Sequence, residues 1–357
     1  MKTIKTTANQ KRDLFLHTRP RTVPAAALRF RLTWGLGGAA ALMITIQLIT
    51  GILLNFSYES SPLAAYESVQ HIHYDVLFGR LFRNLHHWTG HALIVITFLH
   101  MLRVFSSSAY RGSRHLNWII GLGLFFLILL ANFSGYLLPW DQRAYWAVTI
   151  ATSILEYVPG FGTTLLEIVR GGSDVGAATL HIFHTLHSGL LPLLLLFFMT
   201  WHFWKIRRAG GIFLPETQNI TSKSATPPTN RLAARPHLFI REKVAAAVVL
   251  TTLLYPSIFF NSPLGALSNP GLTPKTVKAP WYFIGLQELL IHVNPVVVVM
   301  ILLPLTLLFL LFFPLLKEDN LNGNRLVRLL FIGLVAGYAI LTIIGLGFRG
   351  PGMQWVF

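Results

Sequence analysis

Residues 83–103 read RNLHHWTGHALIVITFLHMLR and hold His86 and His100 fourteen positions apart. An α-helix turns about 100° and rises about 1.5 Å per residue. Fourteen positions therefore return to within roughly 40° of the same face, about 21 Å further along the axis. An apolar helix with two histidines on one face indicates a site that uses both.

Residues 187–202 repeat the pattern on a second apolar stretch, HSGLLPLLLLFFMTWH, with His187 and His202 fifteen positions apart. Fifteen positions return to within roughly 60° of one face, with a rise of about 22 Å. Two such helices facing each other would present two histidine pairs at matching depths. This is the arrangement that two stacked bis-histidine haems require.

Glycines recur at the same spacing on two other apolar stretches. Gly37 and Gly51 are fourteen positions apart, and so are Gly121 and Gly135. A macrocycle lying against a helix needs a position without a side chain, although close packing of membrane helices explains one such pair equally well. Two pairs at the histidine spacing favour a four-helix bundle with two ligand helices and two helices flattened against the haems.

The other intramembrane histidines fit this spacing less well. A single histidine in a membrane helix more often hydrogen-bonds to a neighbour than binds a cofactor. His87 lies about 140° around the helix from His100, and the rise of about 27 Å from His184 to His202 does not match the first helix. We therefore interpret His91, His181 and His184 as polar groups lining the interior or a quinone pocket.

The composition excludes a water-soluble protein. Hydrophobic residues make up 53% of the 357 residues and charged residues only 12%, against about a quarter charged in soluble domains. The net charge of +16 would suggest nucleic acid in a soluble protein, but in a membrane protein it sets topology, so we expect no nucleic-acid partner. The chain has no cysteine, which excludes iron–sulfur ligation and covalent c-type haem.

The predicted fold is an all-α integral membrane protein with seven transmembrane helices, four in the haem bundle and three beyond it. Seven stretches lack acidic and basic residues for about 19 positions or more, enough to span a bilayer: Leu32–Leu54, Asn84–Leu102, His115–Trp140, Val175–Trp204, Val244–Pro274, Leu289–Leu316 and Leu329–Phe348. Alternating loops place 22 of the 29 basic residues inside and 7 outside, which predicts a cytoplasmic N-terminus. We expect a multi-pass protein of a bacterial cytoplasmic membrane.

A proline-rich polar linker divides the chain. The predicted parts are a cytoplasmic segment 1–30, a haem-binding half 31–207, a linker 208–240 and a three-helix half 241–357. Within the last half, the Pro- and Gly-rich stretch Asn261–Gln287 is predicted to lie on the outer side and is called the outer segment. Between the third and fourth spans, Asp141 to Arg170 is amphipathic and too polar to span, so we predict short helices along the outer surface.

Several short motifs lie on these helices: Gln47 to Gly51 (QLITG), Arg83 with His86, His100 with Arg103, Gly135 to Gln142 (GYLLPWDQ), Tyr145 to Val148 (YWAV), and His202 before Arg207. In these motifs, and over nearly its whole length, the chain resembles cytochrome b of the quinol-oxidising bc complexes. The fifteen-position histidine spacing resembles the b6f-type branch, with a half similar to subunit four fused behind it.

The resemblance implies two non-covalent b-type haems. His86 and His187, the outer pair, would ligate the outer haem, and His100 and His202, the inner pair, the inner haem. It also implies quinol or quinone as substrate at an outer and an inner site, and a membrane-lipid environment. Implied partners are a Rieske iron–sulfur protein and a c-type cytochrome, or other multihaem redox subunits, in a homodimeric complex.

Basic residues near the haem edges would pair with propionates that are otherwise buried without a countercharge. Arg83 lies at the predicted outer end, and Arg103 and Arg207 lie at the inner end. The alternative is that these residues only anchor the helices by the positive-inside rule. That alternative is weakest for Arg83, because the rule does not favour an outer arginine.

One motif of the family is altered. The family's Pro-Glu-Trp-Tyr reads Ala279, Pro280, Trp281, Tyr282 here, so the glutamate thought to accept a quinol proton is missing. Trp281 and Tyr282 are predicted to border the outer quinol site. Quinol oxidation releases protons that need an acceptor of suitable pKa, and the nearest carboxylate is Glu288. Glu288 either accepts the proton or is an ordinary helix-start carboxylate.

The predicted function is thus the diheme cytochrome b subunit of a membrane quinol oxidoreductase, not active alone, that transfers electrons to a c-type acceptor with coupled proton translocation. One alternative is the quinone-reactive diheme anchor of another respiratory oxidoreductase. Such anchors have no need for the last three helices. The other is a secondary transporter with a histidine relay, which predicts inverted repeats that the sequence does not contain.

Overall fold

The protein is described by a computed structural model that covers residues 22–29, 34–213, 231–274, 277–315, 321–350 and 354–355. The described part is helical apart from two short strands that pair antiparallel, β1 (Thr22–Pro24) and β2 (Arg231–Ala233). The α-helices are α1 Leu36–Asn55, α2 Ala65–Tyr74, α3 Gly79–Ser106, α4 His115–Leu137, α5 Gln142–Ser153, α6 Gly162–Arg170, α7 Ala177–Arg208, α8 Ala234–Phe259, α9 Ile284–His292, α10 Pro295–Leu315 and α11 Leu321–Gly347.

Helices α1, α3, α4 and α7 form the predicted four-helix bundle. Their contact faces meet in one buried cluster that includes Ile44 of α1, Leu93 of α3, Ile128 of α4 and Leu195 of α7. Other large apolar side chains of these helices, such as Phe197, remain exposed. A helix that is apolar all round but buried on only one face fits a bundle whose outer face meets lipid.

Six helices in the described ranges are long and apolar enough to cross a membrane: α1, α3, α4, α7, α10 and α11. The remaining predicted span corresponds to α8, which is not among these six. Helix α8 begins at Ala234, carries the charged residues Arg241, Glu242 and Lys243 in its first half, and ends at Phe259. The charge-free stretch continues to Pro274, but the helix ends at Phe259, just before the predicted outer segment, where the prolines at 263 and 270 disfavour a helix.

The next predicted span is also interrupted. Helix α9 ends at His292, and the chain starts again as α10 at Pro295. The Asn294 side chain accepts a hydrogen bond from the Val296 amide, which caps the new helix, and proline is favoured at a first helical position. The Asn–Pro pair therefore separates a short helix from the membrane-spanning one.

Helix α7 contains one wide turn. Leu186–Leu190 adopt π-helical geometry just before Pro192. Proline has no amide hydrogen and its ring crowds the carbonyl four residues earlier, and a π turn relieves this by inserting one residue. That extra residue makes the fifteen positions from His187 to His202 comparable with the fourteen positions on α3.

Short helices α5 and α6 lie between α4 and α7, as predicted for residues 141–170. Buried Arg170 holds them together, because its guanidinium donates hydrogen bonds to Thr152 Oγ1 at 2.8 Å and to the Thr149 carbonyl at 2.7 Å.

Helix α2 was not predicted. The division at 31–207, 208–240 and 241–357 stays a prediction, and residues 1–21, 30–33 and 214–230 lie outside the described ranges.

Candidate functional site

Each of the four predicted glycines faces one of the four predicted histidines. A Cβ built on each glycine would approach the Cε1 atom of one imidazole: Gly37 that of His100 at 3.2 Å, Gly51 that of His86 at 3.3 Å, Gly121 that of His202 at 3.4 Å, and Gly135 that of His187 at 2.5 Å. The neighbouring Gly38 and Gly123 would meet nothing within 4 Å. The matched sequence spacings therefore correspond to direct contacts between the glycine helices and the histidine helices.

The outer pair is arranged as two ligands of one metal ion would be. The ring centroids of His86 and His187 are 6.0 Å apart and the rings are nearly perpendicular, at 76°. Two imidazoles that bind one metal from opposite sides, with bonds of about 2 Å, have centroids separated by a distance of this order. The donor set and its spacing fit a bis-histidine haem.

Hydrogen bonds fix which nitrogen of each outer histidine is free. The Nδ1 of His187 is 2.9 Å from the Ala131 carbonyl, which can only accept, so this nitrogen carries the proton. The Nδ1 of His86 is 2.8 Å from Thr50 Oγ1, and that hydroxyl donates its own proton to the Ile46 carbonyl at 2.7 Å. Both rings therefore present an unprotonated Nε2, the form that binds a metal.

Sequence reasoning missed these supporting groups. Thr50 precedes Gly51, and Ser134, whose Oγ lies 3.3 Å from the Nδ1 of His187, precedes Gly135. A hydroxyl residue before each outer glycine is a signal that the sequence contains. It was not used, because the sequence does not say which histidine each glycine helix will meet.

The inner pair faces the other two glycines. The Nδ1 of His202 is buried and forms no well-aligned hydrogen bond among the described residues. A bound haem iron would be held by the other ring nitrogen, Nε2, as in the outer pair. Gly37 and Gly121 provide faces without side chains beside this pair. These residues also fit a haem.

The predicted basic residues lie at the two ends of the bundle. Arg83 lies in the first turn of α3 and donates hydrogen bonds to the carbonyls of Ser262 at 3.1 Å and Pro263 at 2.9 Å. Arg103 and Arg207 lie in the last turns of α3 and α7, at the end that holds the inner pair. The structure thus ties Arg83 to the outer segment. The propionate role of all three residues stays a prediction.

The Trp281–Tyr282 segment packs against the bundle near the outer pair. Tyr282 belongs to the buried core cluster, and Tyr338 of α11 donates a hydrogen bond to its carbonyl at 2.7 Å. The indole of Trp281 donates to the Nδ1 of His91 on α3 at 2.8 Å. Two elements far apart in sequence therefore hold these aromatic residues in place.

The corner after α4 is joined to the outer segment. Asp141 caps α5 by accepting from the Ala144 amide at 2.8 Å, and its second oxygen accepts from the Gly265 amide at 2.7 Å. The backbone N–H of Gln142 donates to the Ala266 carbonyl at 2.8 Å. The corner after α4 and the outer segment form one connected structure.

Glu288 lies fully buried in an ion pair. The Nε of Arg349 reaches both carboxylate oxygens, at 3.1 Å and 3.0 Å, and its Nη2 also bonds to Oε1. His292 Nε2 lies 2.8 Å from the same Oε1, and the guanidinium stacks on Trp355 at 3.9 Å. Hydrogen bonds from Arg349 hold the pKa of Glu288 below its usual value despite burial. The sequence offered no sign of this pair, whose members are 61 positions apart.

Removing the arginine should destabilise the protein. Arg349→Met leaves a buried carboxylate without its countercharge. We therefore expect the thermal unfolding temperature of the solubilised protein to fall by several degrees at neutral pH. The double variant Arg349→Met/Glu288→Gln should regain part of the loss, because both charges are then gone. Since the pKa of Glu288 is lowered, the stabilisation is complete above the usual glutamate pKa of about 4.3 and disappears as the pH falls through the lowered value.

An Arg349→Met protein that unfolds at the same temperature as the unaltered protein at neutral pH would contradict this account. The matched surface control is Arg80→Met, because among the described residues the Arg80 guanidinium makes one exposed hydrogen bond, to the Ile258 carbonyl at 3.4 Å.

Comparison with known proteins agrees with this architecture. Residues 23–210 match the family model described as Cytochrome b/b6/petB, and residues 267–355 match that described as Cytochrome b(C-terminal)/b6/petD. The chain is 40% identical to cytochrome b6 of Cyanidium caldarium over 174 residues, which are 49% of this chain and 81% of that protein. It is also 40% identical to cytochrome b6 of Heliomicrobium gestii over 187 residues, 52% of this chain and 88% of that protein.

A solved structure matches the fold over most of the chain. The match is to a chain of a hyperthermophilic respiratory Complex III, with a TM-score of 0.78 and 28% identity, covering 88% of this chain and 83% of the other. The first family model alone spans more than half of the 357 residues. The protein is a multi-pass membrane protein that belongs to the cytochrome b/b6 family, with a b6-like part and a subunit-four-like C-terminal part in one chain.

Proposed function

We propose that the chain is the diheme cytochrome b subunit of a membrane quinol-oxidising complex, carrying electrons between an outer and an inner quinone site. The observation that carries the proposal is the set of four glycine–histidine contacts at two levels of one bundle. When bound, two b-type haems supply the one-electron redox chemistry, and the protein sets ligation and spacing.

The residues of the chain have separate tasks in this proposal. His86 and His187 hold the outer haem and His100 and His202 the inner haem, while Thr50 and the Ala131 carbonyl orient the outer rings. The glycines admit the macrocycles between helices: Gly37, Gly51, Gly121 and Gly135. The guanidinium groups at the two ends supply positive charge for the propionates: Arg83, Arg103 and Arg207.

At the outer site, Trp281 and Tyr282 would form an aromatic wall, and Glu288 follows them in the chain, on α9. The prediction that Glu288 accepts a quinol proton stays a prediction. Its ion pair with Arg349 opposes that role, because protonation would break a buried charge-assisted interaction. A Glu288→Gln variant with unchanged quinol oxidation and an unchanged pH profile would exclude the role.

The family and the Complex III match support a place for the chain in a larger assembly. We propose a homodimeric complex with a Rieske iron–sulfur protein and a c-type cytochrome, or other multihaem subunits, in a bacterial cytoplasmic membrane with the N-terminus inside. The altered Ala279–Tyr282 motif leaves the choice of external acceptor to experiment.

A redox-titrated visible spectrum of the purified complex tests the proposal. Two b-type transitions are expected, both reducible by a short-tailed quinol. A complex that shows a single transition or none, or whose transitions do not respond to quinol, would contradict it. Haem extraction and quantification per chain provide an independent count.

A further inference from the structure

We propose that His91 binds the quinone head group at the outer site by donating a hydrogen bond from its Nε2 atom. The inference rests on the proposed function, because it assigns a ligand contact within the same outer site. His91 lies on α3, five positions after His86. The role is inferred from the contacts of its side chain, given below.

The tautomer of His91 follows from its one hydrogen bond. The indole nitrogen of Trp281 can only donate, and it lies 2.8 Å from the Nδ1 of His91. Nδ1 must therefore accept, and the neutral ring carries its proton on Nε2. Trp281 thus turns His91 into a hydrogen-bond donor at its other nitrogen.

That donor is available to a ligand. Among the described residues, Trp281 is the only hydrogen-bond partner of His91. The Nε2 atom is not one of the fully enclosed unpaired atoms in the described ranges, so it is accessible. A half-buried N–H group without a hydrogen-bond partner costs free energy, and a ligand oxygen that accepts from it removes that cost.

The surroundings suit a planar aromatic head group. The His91 ring lies 6.3 Å from the rings of both Trp281 and Tyr282, 6.2 Å from Trp88 and 4.5 Å from His87, measured between centroids. Aromatic walls with a few polar groups are typical of sites that bind flat, mostly apolar ligands. The segment that provides two of these walls is the one proposed to border the outer quinol site.

A donor at this position can also assist the reaction. When quinol loses a proton, negative charge develops on its oxygen, and a positioned N–H group stabilises that charge. His91 cannot take the proton on Nδ1 while Trp281 donates to that atom. Its role is therefore to bind the oxygen and hold the ring, and a different group or water carries the proton away.

Paired variants of the purified complex test the proposal. His91→Leu removes the donor, and His91→Gln keeps an N–H donor at similar reach. The probes are short-tailed benzoquinol and naphthoquinol, and the readout is the quinol concentration that half-saturates the rate of haem reduction. We expect about a tenfold rise for His91→Leu, the size of one hydrogen bond of about 1.4 kcal/mol, and a much smaller rise for His91→Gln.

Visible spectra of both variants should still show both b-type transitions, because His91 is not a proposed ligand. His237→Leu, at an exposed position on α8, is the matched control and should behave like the unaltered complex. If His91→Leu leaves half-saturation unchanged, or if His91→Gln is equally impaired, the donor role is wrong. If quinol reduces no haem even in the unaltered complex, the proposed function fails and the His91 role fails with it.

Discussion

His187→Ala removes the outer b-type transition from the redox titration and leaves the inner one in place. The ring of His187 is held by its bond to the Ala131 carbonyl and faces His86 at 6.0 Å, so alanine removes one of two axial ligands. A haem with one remaining protein ligand loses most of its binding energy and its low-spin spectrum. We expect haem content to fall by about half, from two to one per chain.

His202→Ala should give the complementary result, the loss of the inner transition alone. Exposed His181→Ala on the same helix controls for general damage to α7 and should keep both transitions. If His187→Ala and His202→Ala removed the same transition, or if neither changed the spectrum, the ligand assignment would be wrong. Circular dichroism at the helix bands separates lost haem from lost fold.

The second large effect is expected at the glycines. Gly121→Val should abolish most of the inner transition, because a side chain here enters the space beside His202, where even a Cβ would lie 3.4 Å from the ring. Overfilling a packed site costs about 1–3 kcal/mol, and a bound macrocycle leaves less room still. On the same helix, a Cβ added at Gly123 would have no neighbouring atom within 4 Å, so Gly123→Val should keep both transitions.

This pair is matched in residue type, helix and change in helix propensity, so the difference between the two variants reports only the space beside the histidine. Gly37→Val and Gly38→Val form the same test on α1. Equal haem content in Gly121→Val and Gly123→Val would show that the glycine spacing serves helix packing alone.

Much of the bundle could be predicted because its signals are periodic. Apolar stretches long enough to cross a bilayer predicted the spans, and the spacing of His86 and His100 predicted a shared face. The matching spacing of the glycines predicted which two helices lie against the haems, but not which histidine each glycine meets. What could not be predicted in this way is which partner each group meets. The bond from His187 to Ala131 joins residues 56 positions apart, and no local pattern specifies it.

The errors have similar physical causes. The charge-free stretch Val244–Pro274 is longer than its helix, which ends at Phe259, and the span predicted from Leu289 is divided before Pro295. Both were drawn from charge-free stretches, a criterion that does not account for the effect of proline on a helix. Proline also affected α7. The π turn before Pro192 contains one extra residue, so the fifteen positions from His187 to His202 match the fourteen positions from His86 to His100.

By itself, the sequence determined a membrane-embedded helical bundle with paired histidines and glycines, because hydrophobic length and helical periodicity are local properties of a chain. Only the tertiary structure decided the state and reach of the polar groups. Whether Glu288 is free or ion-paired depends on Arg349, and whether His91 donates or accepts depends on Trp281. Proton positions and ion pairs depend on contacts made in space, and distant parts of the chain supply those contacts.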